Sequence, residues 1–531
     1  MSGFPEASPG PATPRRALET DPAPNAVGGA GARRALAPER SFGSAVGWTV
    51  LGTLIPGLGL LRGGRRVLGS AILLLDVLVL GGLAYVAFGA RSQLTTWLVS
   101  PAVLIGLAVT LAVLAVGLVL VVGATHLSLR PSSPTVAQRV GGAALVGLLS
   151  FLVAAPLAIG SQYSYTTANF LSTVFAEDDP GTSPSAVPVD PWATKDRLNV
   201  LVLGGDTEKD RDPRLGLRAD SVMVASIDTH TGATTLFSLP RQTARIPFPE
   251  DSPLHDYYPN GFYDGVSGDN AEYFLNAMYK NIPPRLPKGL LGKNVKNVGA
   301  EVMKIGVGEA LGLGKLDYYV AFSMDGFKEF INAIGGVTLN VNYRIPIGGN
   351  SSKGIPPSDW IEPGADQHMN GRRALWYARG RYSLNDYSRI ERQRCVINAV
   401  VEQTKPDVVL TRFNAIASAG ANNIFTDVPR SMLPSLLDLA LKVKGTKLHS
   451  VVFKPGVANW VSADPDWPTI RKLVKTALKE TAADAIATPT PSATATTSGK
   501  PTKTPTPSKT PTTKSDDLTD SCAYNPAPFE K

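Results

Sequence analysis

Two aspartates and a dense group of arginines are the side chains of this chain best suited to chemistry. Asp206 follows an apolar run and two glycines, and Asp220 opens the next apolar run. Carboxylates on neighbouring strand ends suit a hard cation such as Mg²⁺, which takes oxygen ligands. Guanidinium groups bind phosphate oxygens with paired hydrogen bonds. The combination indicates a site for a metal-bound phosphate or pyrophosphate, with Asp206 and Asp220 as the metal ligands.

Several arginines are expected to converge on such an anion. On a predicted helix over Tyr387–Gln403, Arg389, Arg392 and Gln393 are spaced i, i+3 and i+4, so they share one face. A single arginine is more often a solvated surface residue, and the argument depends on the density of the set and the few acids near it. The arginines of the set are Arg218, Arg241, Arg379, Arg381, Arg389, Arg392 and Arg394.

Alternating strand and helix patterns surround these residues and predict an α/β domain, a three-layer-like arrangement with a central mixed sheet flanked by helices. The predicted strands are Leu198–Leu203, Ser221–Ile227, Thr234–Leu239, Tyr318–Ser323, Val337–Val341 and Val451–Lys454. The predicted helices are Met324–Ile334, Asn370–Ala378, Tyr387–Gln403, Pro429–Val443 and Asp466–Glu480. The catalytic domain is accordingly placed at residues 191–484.

A transmembrane helical region is predicted before this domain, over residues 41–165. Three apolar stretches reach the roughly 20 residues that a bilayer requires: Val67–Ala90, Leu94–Ala124 and Val140–Gly160. A fourth, Ser41–Leu61, contains Pro56 and five glycines and is interpreted as a re-entrant segment, with a fourth span as the alternative. Residues 1–40 and 485–531, rich in Pro and small or polar residues, are predicted to be disordered tails, and residues 166–190 a linker.

The arginines of the membrane region set its predicted orientation. Those in the tail, at Arg62–Arg66 and at Arg130 and Arg139, fall on one side if three stretches cross the bilayer. This predicts a multi-pass protein of the cell membrane with a cytoplasmic N-terminus and an extracellular catalytic domain. Much of the net charge of +8 belongs to these loops. No basic stripe interleaved with aromatics accompanies it, so nucleic-acid binding is not expected.

The chain has two cysteines, Cys395 and Cys522. In a domain outside the cell they can form one disulfide, which would tie the apolar patch near Cys522 back to the domain. The alternative is a buried free thiol at Cys395, a common environment for cysteine. The bridge is the favoured interpretation.

Six stretches resemble the LytR-CpsA-Psr family of cell-wall glycopolymer ligases. They are Asn199–Asp206, Arg218–Ile227, Phe237–Arg241, Tyr318–Val341, Met369–Arg381 and Asp386–Gln393. The resemblance implies Mg²⁺-dependent transfer of a glycopolymer from a polyprenyl-pyrophosphate carrier onto peptidoglycan, at the surface of a lipid bilayer.

Residue by residue, Asp206 and Asp220 resemble the family's Mg²⁺ ligands, and with Arg241 they form the predicted catalytic set. Arg218, Arg379, Arg381, Arg389 and Gln393 resemble its pyrophosphate contacts, and the shared helix face adds Arg392. Gln242 departs from the pattern, because the family usually has an acid after the proline–arginine pair.

Two other functions remain open at this point. In a polyprenyl-pyrophosphate hydrolase, water would replace the acceptor. In a non-catalytic lipid-phosphate-binding regulator of envelope assembly, no bond would be broken. The intact Asp206/Asp220 pair disfavours the regulator, whereas Gln242 keeps it open.

Overall fold

The N-terminal part of the protein is a group of apolar helices. The computed structural model describes residues 41–89, 97, 99–175, 191–193, 195–206, 218–266, 270–404, 408, 412–421, 423–487 and 516–526. The predicted tail over 1–40 lies outside these residues. The first five described helices are α1 Phe42–Leu54, α2 Leu58–Arg62, α3 Arg66–Phe88, α4 Pro101–Leu129 and α5 Val136–Val174.

Three of these helices, α3, α4 and α5, are long and apolar enough to cross a membrane. This agrees with the three spans that the sequence predicts. The predicted re-entrant segment folds as α1 and α2, separated by a turn at Gly57 with φ of 92°. The path of that segment through a bilayer and the orientation of the helices stay predictions.

Helix α5 is longer than a bilayer requires, with 39 residues against roughly 20. It continues past residue 165 to Val174, so the predicted linker is wrong for residues 166–174. The reason is packing: Ala168 and Leu171 are buried against Leu104 of α4. Residues 176–190 of the predicted linker lie outside the described part of the chain.

A seven-stranded mixed sheet forms the centre of the following domain, as predicted. Its strand order is β11-β10-β3-β2-β1-β4-β9, in which β1/β4 and β3/β10 are parallel neighbours and the other pairs are antiparallel. Two smaller pairs, β5–β8 and β6–β7, lie beside it. The strands are β1 Arg197–Asp206, β2 Arg218–Asp228, β3 Thr234–Leu239, β4 Tyr318–Ser323, β5 Val337–Val341, β6 Ile345–Asn350, β7 Ile355–Ile361, β8 Gly364–Met369, β9 Ile424–Thr426, β10 Leu448–Val452 and β11 Asp516–Asp517.

Helices cover both faces of the sheet. In the described residues they are α6 Pro253–Tyr257, α7 Leu275–Asn281, α8 Val298–Leu311, α9 Met324–Ile334, α10 Gly371–Arg379, α11 Asp386–Gln403, α12 Phe413–Ala421, α13 Leu433–Lys444, α14 Trp467–Ala487 and α15 Leu518–Ser521. Single 3₁₀ turns occupy Ala271–Tyr273, Pro283–Arg285, Ser351–Lys353 and Arg430–Met432. Side chains of α7, α8 and α14 pack on one face, and those of α13 and α15 pack on the other.

A second apolar core supports the two arginine-bearing helices. It contains buried residues of α9, α10, α11 and the small β-pairs, among them Ile331, Leu339, Ile347, Tyr377 and Val396. The second core thus supports α10 and α11, and Ile397 and Val401 of α11 also pack against the main sheet. Strands β6, β7 and β8 were not predicted from the sequence, because glycine, proline and polar residues interrupt their apolar residues.

The C-terminal segment is attached to the domain rather than disordered. β11 pairs with the edge strand β10, and Leu518 is fully buried. Cys395 and Cys522 form the predicted disulfide, with their Cα atoms 5.6 Å apart. The predicted tail over 485–531 is thus wrong for residues 485–487, which end α14, and for 516–526, because the bridge and these contacts hold that segment. Residues 488–515 and 527–531 lie outside the described chain.

We expect Cys395→Ser and Cys522→Ser each to lower the free energy of unfolding by about 2–4 kcal/mol, because each opens the same loop. Urea unfolding of the full-length protein in detergent, followed by tryptophan fluorescence, measures the change. The double variant should lose no more than either single variant. Additive losses would show that the two sulfurs stabilise the domain separately.

Candidate active site

The two predicted acids lie at the same edge of the main sheet. β1 ends at this edge and β2 begins there, because the two strands are antiparallel. Asp206 is the last residue of β1 and pairs in register with Arg218, and Asp220 lies two residues further along β2. A bulge at Gly204–Gly205 lies opposite Asp220. Bulges of this kind redirect side chains, and they are common beside active sites.

Asp386 is the residue around which the arginines gather. Its carboxylate oxygens lie 3.5 Å from Nε of Arg241, 3.5 Å from Nη1 of Arg381 and 3.2 Å from Nη2 of Arg389. Arg241 also donates a hydrogen bond from Nη1 to Oδ1 of Asp220, at 2.8 Å. We call these five residues the arginine cluster. Its three guanidinium groups exceed its two carboxylates by one positive charge.

The role of Asp386 was not predicted from the sequence. It stands at the first position of α11, just after the N-cap Asn385, whose side chain accepts a hydrogen bond from the Ser388 amide. An acid in the first turn of a helix is stabilised by the helix dipole. Its spacing of three residues from Arg389 was the available signal, because such residues are neighbours on a helix surface.

Arg389 is the most deeply placed member of the cluster, with a side chain 5% exposed. Its Nη2 also donates to the backbone carbonyl of Asp220, at 2.8 Å. Burial lowers the pKa of its guanidinium to about 10, partly opposed by Asp386. The group therefore stays charged at neutral pH. It joins α11 to the start of β2 and fixes the distance between the two elements.

Arg392 and Gln393 bind the backbone between the half-buried Arg379 and the exposed Arg381. Arg392 is 3% exposed and donates to the carbonyl of Gly380, at 2.5 Å. Gln393 donates from Nε2 to the carbonyl of Ala378, at 3.3 Å. Their side chains are thus bound to the turn that carries Arg381. Their predicted contact with pyrophosphate stays a prediction, whereas the contacts described here position that turn.

Arg379 and Arg381 flank this turn and differ in surroundings. The guanidinium of Arg379 lies over the ring of Trp376, at 5.0 Å, and approaches Sδ of Met324. The side chain of Arg381 is 45% exposed, and its one ion pair in the described residues is the long one to Asp386. Arg381 is therefore the member of the cluster with most freedom to bind an incoming anion.

Arg218 projects from the first position of β2 and pairs with Glu272, at 2.5 Å between Nη2 and Oε1. Hydrogen bonds from Asn281 and Arg218 lower the pKa of the Glu272 carboxyl. Both partners are well exposed. An anion that binds Arg218 must therefore compete with Glu272.

Arg394 does not join the cluster, which corrects the expected convergence. It donates to Oγ of Ser450, at 2.6 Å, and lies 3.3 Å from Asp516. The position five residues after Arg389 points to a different side of α11, towards β10 and β11. Arg394 therefore helps to attach the C-terminal segment.

The carboxylate of Asp220 fits Mg²⁺ by the chemistry of its donors. Oδ1 of Asp220 accepts from Arg241, while Oδ2 accepts no hydrogen bond from the described residues, and the side chain is 35% exposed. Within the described chain no group of three potential metal-ligating side chains occurs. Proteins usually hold Mg²⁺ with only one or two carboxylates, and phosphate oxygens and water complete its coordination.

Comparison with known proteins places this domain. A model of the LytR_cpsA_psr family matches residues 162–464. The polyisoprenyl-teichoic acid–peptidoglycan teichoic acid transferase TagU of Oceanobacillus iheyensis is 28% identical over 250 residues, 46% of this chain and 63% of the relative. Biofilm regulatory protein A of Streptococcus mutans is 24% identical over 323 residues, 59% of this chain and 70% of the relative.

A crystal structure of TagV from Bacillus subtilis is 22% identical and covers 54% of this chain and 98% of its own, with a TM-score of 0.37. The match to the Oceanobacillus relative covers 63% of that protein, less than two thirds of its length.

We expect Asp386→Asn to lower the free energy of unfolding by about 2–3 kcal/mol, because it leaves the buried Arg389 without its nearest counter-charge. Urea unfolding of the full-length protein measures the loss. The matched control is Glu362→Gln, which breaks an ion pair with Arg344 whose side chains are more than half exposed. The control should lose less than about 1 kcal/mol. Equal losses would mean that Asp386 does not organise the cluster.

Proposed function

Because this chain belongs to the LytR_cpsA_psr family, we propose that it transfers a glycopolymer from a polyprenyl-pyrophosphate carrier onto a hydroxyl of peptidoglycan. The proposal rests on the arginine cluster. This cluster includes Asp220 and carries one excess positive charge at the end of β1 and the start of β2. The name of the Oceanobacillus relative describes the same class of donor and acceptor.

The proposed reaction exchanges one phosphorus–oxygen bond for another. The oxygen of the acceptor hydroxyl bonds to the phosphorus that carries the glycopolymer, and the bond from this phosphorus to the bridging oxygen breaks. Polyprenyl phosphate leaves with the bond electrons. The hydroxyl proton passes to a base, for which Asp206 and Asp220 are the candidates. Positioning and neutralisation of charge dominate the catalysis of phosphoryl transfer.

The members of the cluster take different parts in this scheme. Arg241 and Arg389 are fixed by Asp220 and Asp386 and present preset positive charge to the pyrophosphate. Arg381 is half exposed and closes onto the leaving phosphate. Groups that are already oriented need no reorganisation as charge develops, which makes their stabilisation large.

Mg²⁺ is part of the proposal as the cation that Asp206 and Asp220 would hold. When bound, it neutralises part of the charge of the pyrophosphate. The Asp220 carboxylate is suited to this task because Arg241 orients one of its oxygens and leaves the other available.

The membrane helices keep the domain beside its lipid-linked substrate in this proposal. Arg430 donates from Nε to the carbonyl of Leu171 near the end of α5, at 3.0 Å. Leu433 of α13 packs against the same part of α5. With the predicted orientation, the site faces the outer surface of the cell membrane.

We expect transfer to require Mg²⁺ and to be lost in Asp220→Asn. The assay uses full-length protein in liposomes, a synthetic polyprenyl-pyrophosphate sugar and peptidoglycan fragments, with and without EDTA. Full transfer by Asp220→Asn would remove the metal pair from the proposal. Release of phosphorylated sugar without transfer would identify a hydrolase, and donor binding without turnover would identify a regulator.

We expect Arg381→Ala to lower kcat about 10²–10³-fold, the range found when one preorganised transition-state donor is removed. Its free energy of unfolding should hardly change, because the side chain is half exposed. Arg344→Ala is the control, since Arg344 is 51% exposed and pairs with Glu362 away from the cluster. A similar loss of kcat in both variants would exclude a specific role for Arg381.

A further inference from the structure

A cavity separate from the arginine cluster opens in the same domain. Its volume is about 340 Å³, at the lower end of the range typical of small-molecule sites. We call it the indole cavity, after Trp467. The residues of its lining that matter here are Arg245, Glu250, Asn260, Glu309, Trp467 and Arg471.

The indole cavity and the arginine cluster share one turn of the chain. β3 leads into Arg241 of the cluster, and Arg245 of the cavity follows four residues later. The amide of Ala244 donates to the carbonyl of Ser462, at 2.8 Å. Nε1 of Trp467 donates to the carbonyl of Arg245, at 3.0 Å. The loop before α14 is thus fastened directly to the turn that carries a catalytic arginine.

The backbone at Arg245, on the wall of the indole cavity, is locally strained. Arg245 has φ of 51°, in the left-handed region that residues with a Cβ rarely adopt. Its guanidinium lies over the ring of Tyr263, at 4.3 Å. A Cβ at Gly261 would come within 2.9 Å of the Arg245 carbonyl oxygen, so only glycine fits there. Strain of this kind is found preferentially at functional sites.

Trp467 is held by an aromatic row that begins at the end of β10. The rings of Phe453 and Trp460 stack at 5.5 Å, and Trp460 meets Trp467 edge-on at 6.4 Å. Trp467 itself is half-buried and borders the cavity. The row fixes a flat apolar surface beside polar groups.

The charge of the indole cavity differs from that of the cluster. Arg471 pairs with Glu309, at 2.7 Å, and Arg245 lies 3.6 Å from Asp464. Glu250 lies at the exposed rim and adds a third acid to the lining. With three acids against two arginines, the lining has no positive excess to attract phosphate.

We propose that the indole cavity binds an uncharged glycan segment. A sugar ring would lie on the indole of Trp467 with its C–H groups, while its hydroxyls bond to Glu250 and Asn260. As a step in transfer, and here the inference rests on the proposed function, this segment is the acceptor strand of peptidoglycan. Its hydroxyl would then be presented to the turn that carries Arg241.

The test is calorimetric titration of the full-length protein in detergent with the N-acetylglucosamine tetramer, an uncharged and soluble glycan. We expect Trp467→Ala to weaken binding by about tenfold or more. Trp360→Ala is the matched control: Trp360 is also half-buried, and it lies under Arg344, outside the cavity lining. This control should bind as the wild type does. Asn260→Ala and Glu250→Gln alter exposed groups, so they test the site even if Trp467→Ala fails to fold.

Wild-type protein that does not bind the tetramer at millimolar concentration would overturn the inference. Unchanged affinity in Asn260→Ala, Glu250→Gln and a folded Trp467→Ala would do the same. Arg381→Ala should still bind the tetramer, which separates this site from the donor site. Tetramer binding sensitive to these cavity variants, in a protein that transfers nothing, would retain the cavity and reject the proposed function. Mg²⁺-dependent transfer without such binding would do the reverse.

Discussion

The arrangement of this domain depends on one carboxylate, that of Asp386, which faces three guanidinium groups. The arginines come from different elements: Arg241 follows β3, Arg381 stands in the turn after α10, and Arg389 belongs to α11. Like charges at this spacing repel, so the group holds together only while a counter-charge lies among them. Apolar packing stabilises the main sheet and the second core separately. Asp386 connects the two through its contacts with the arginines of both parts.

Most of the framework was accessible from the sequence, because it follows local rules. β4, α9 and β5 lie within Tyr318–Val341 at the predicted bounds, since their apolar periods and capping residues agree. β6 to β8 escaped prediction because their glycine, proline and polar residues leave no strand pattern, although β6 and β7 form a local hairpin. The length of α5 escaped too, because contacts with α4 rather than a membrane extend it.

The sequence indicated a set of candidate site residues but not their arrangement. Sequence spacing brought out the two acids and the arginines at the strand ends and on α11. It gave no account of Asp386 as their common partner, or of Arg394 turning to Ser450 and Asp516. Such partners depend on which elements meet in space. The cavity beside Arg245 likewise depends on a loop more than two hundred residues away in sequence.

The long separation of the two cysteines in sequence also limits when the disulfide can form. Because Cys522 follows Cys395 by 127 residues, the bridge can close only after both cysteines have been synthesised. Until β11 has been synthesised and has paired, the outer side of β10 has no partner strand. An unpaired edge strand can associate with other chains. Without the bridge, the C-terminal segment would still be held by the two-residue pairing of β11 with β10, by the buried Leu518 and by the ion pairs Arg394–Asp516 and Lys447–Asp517.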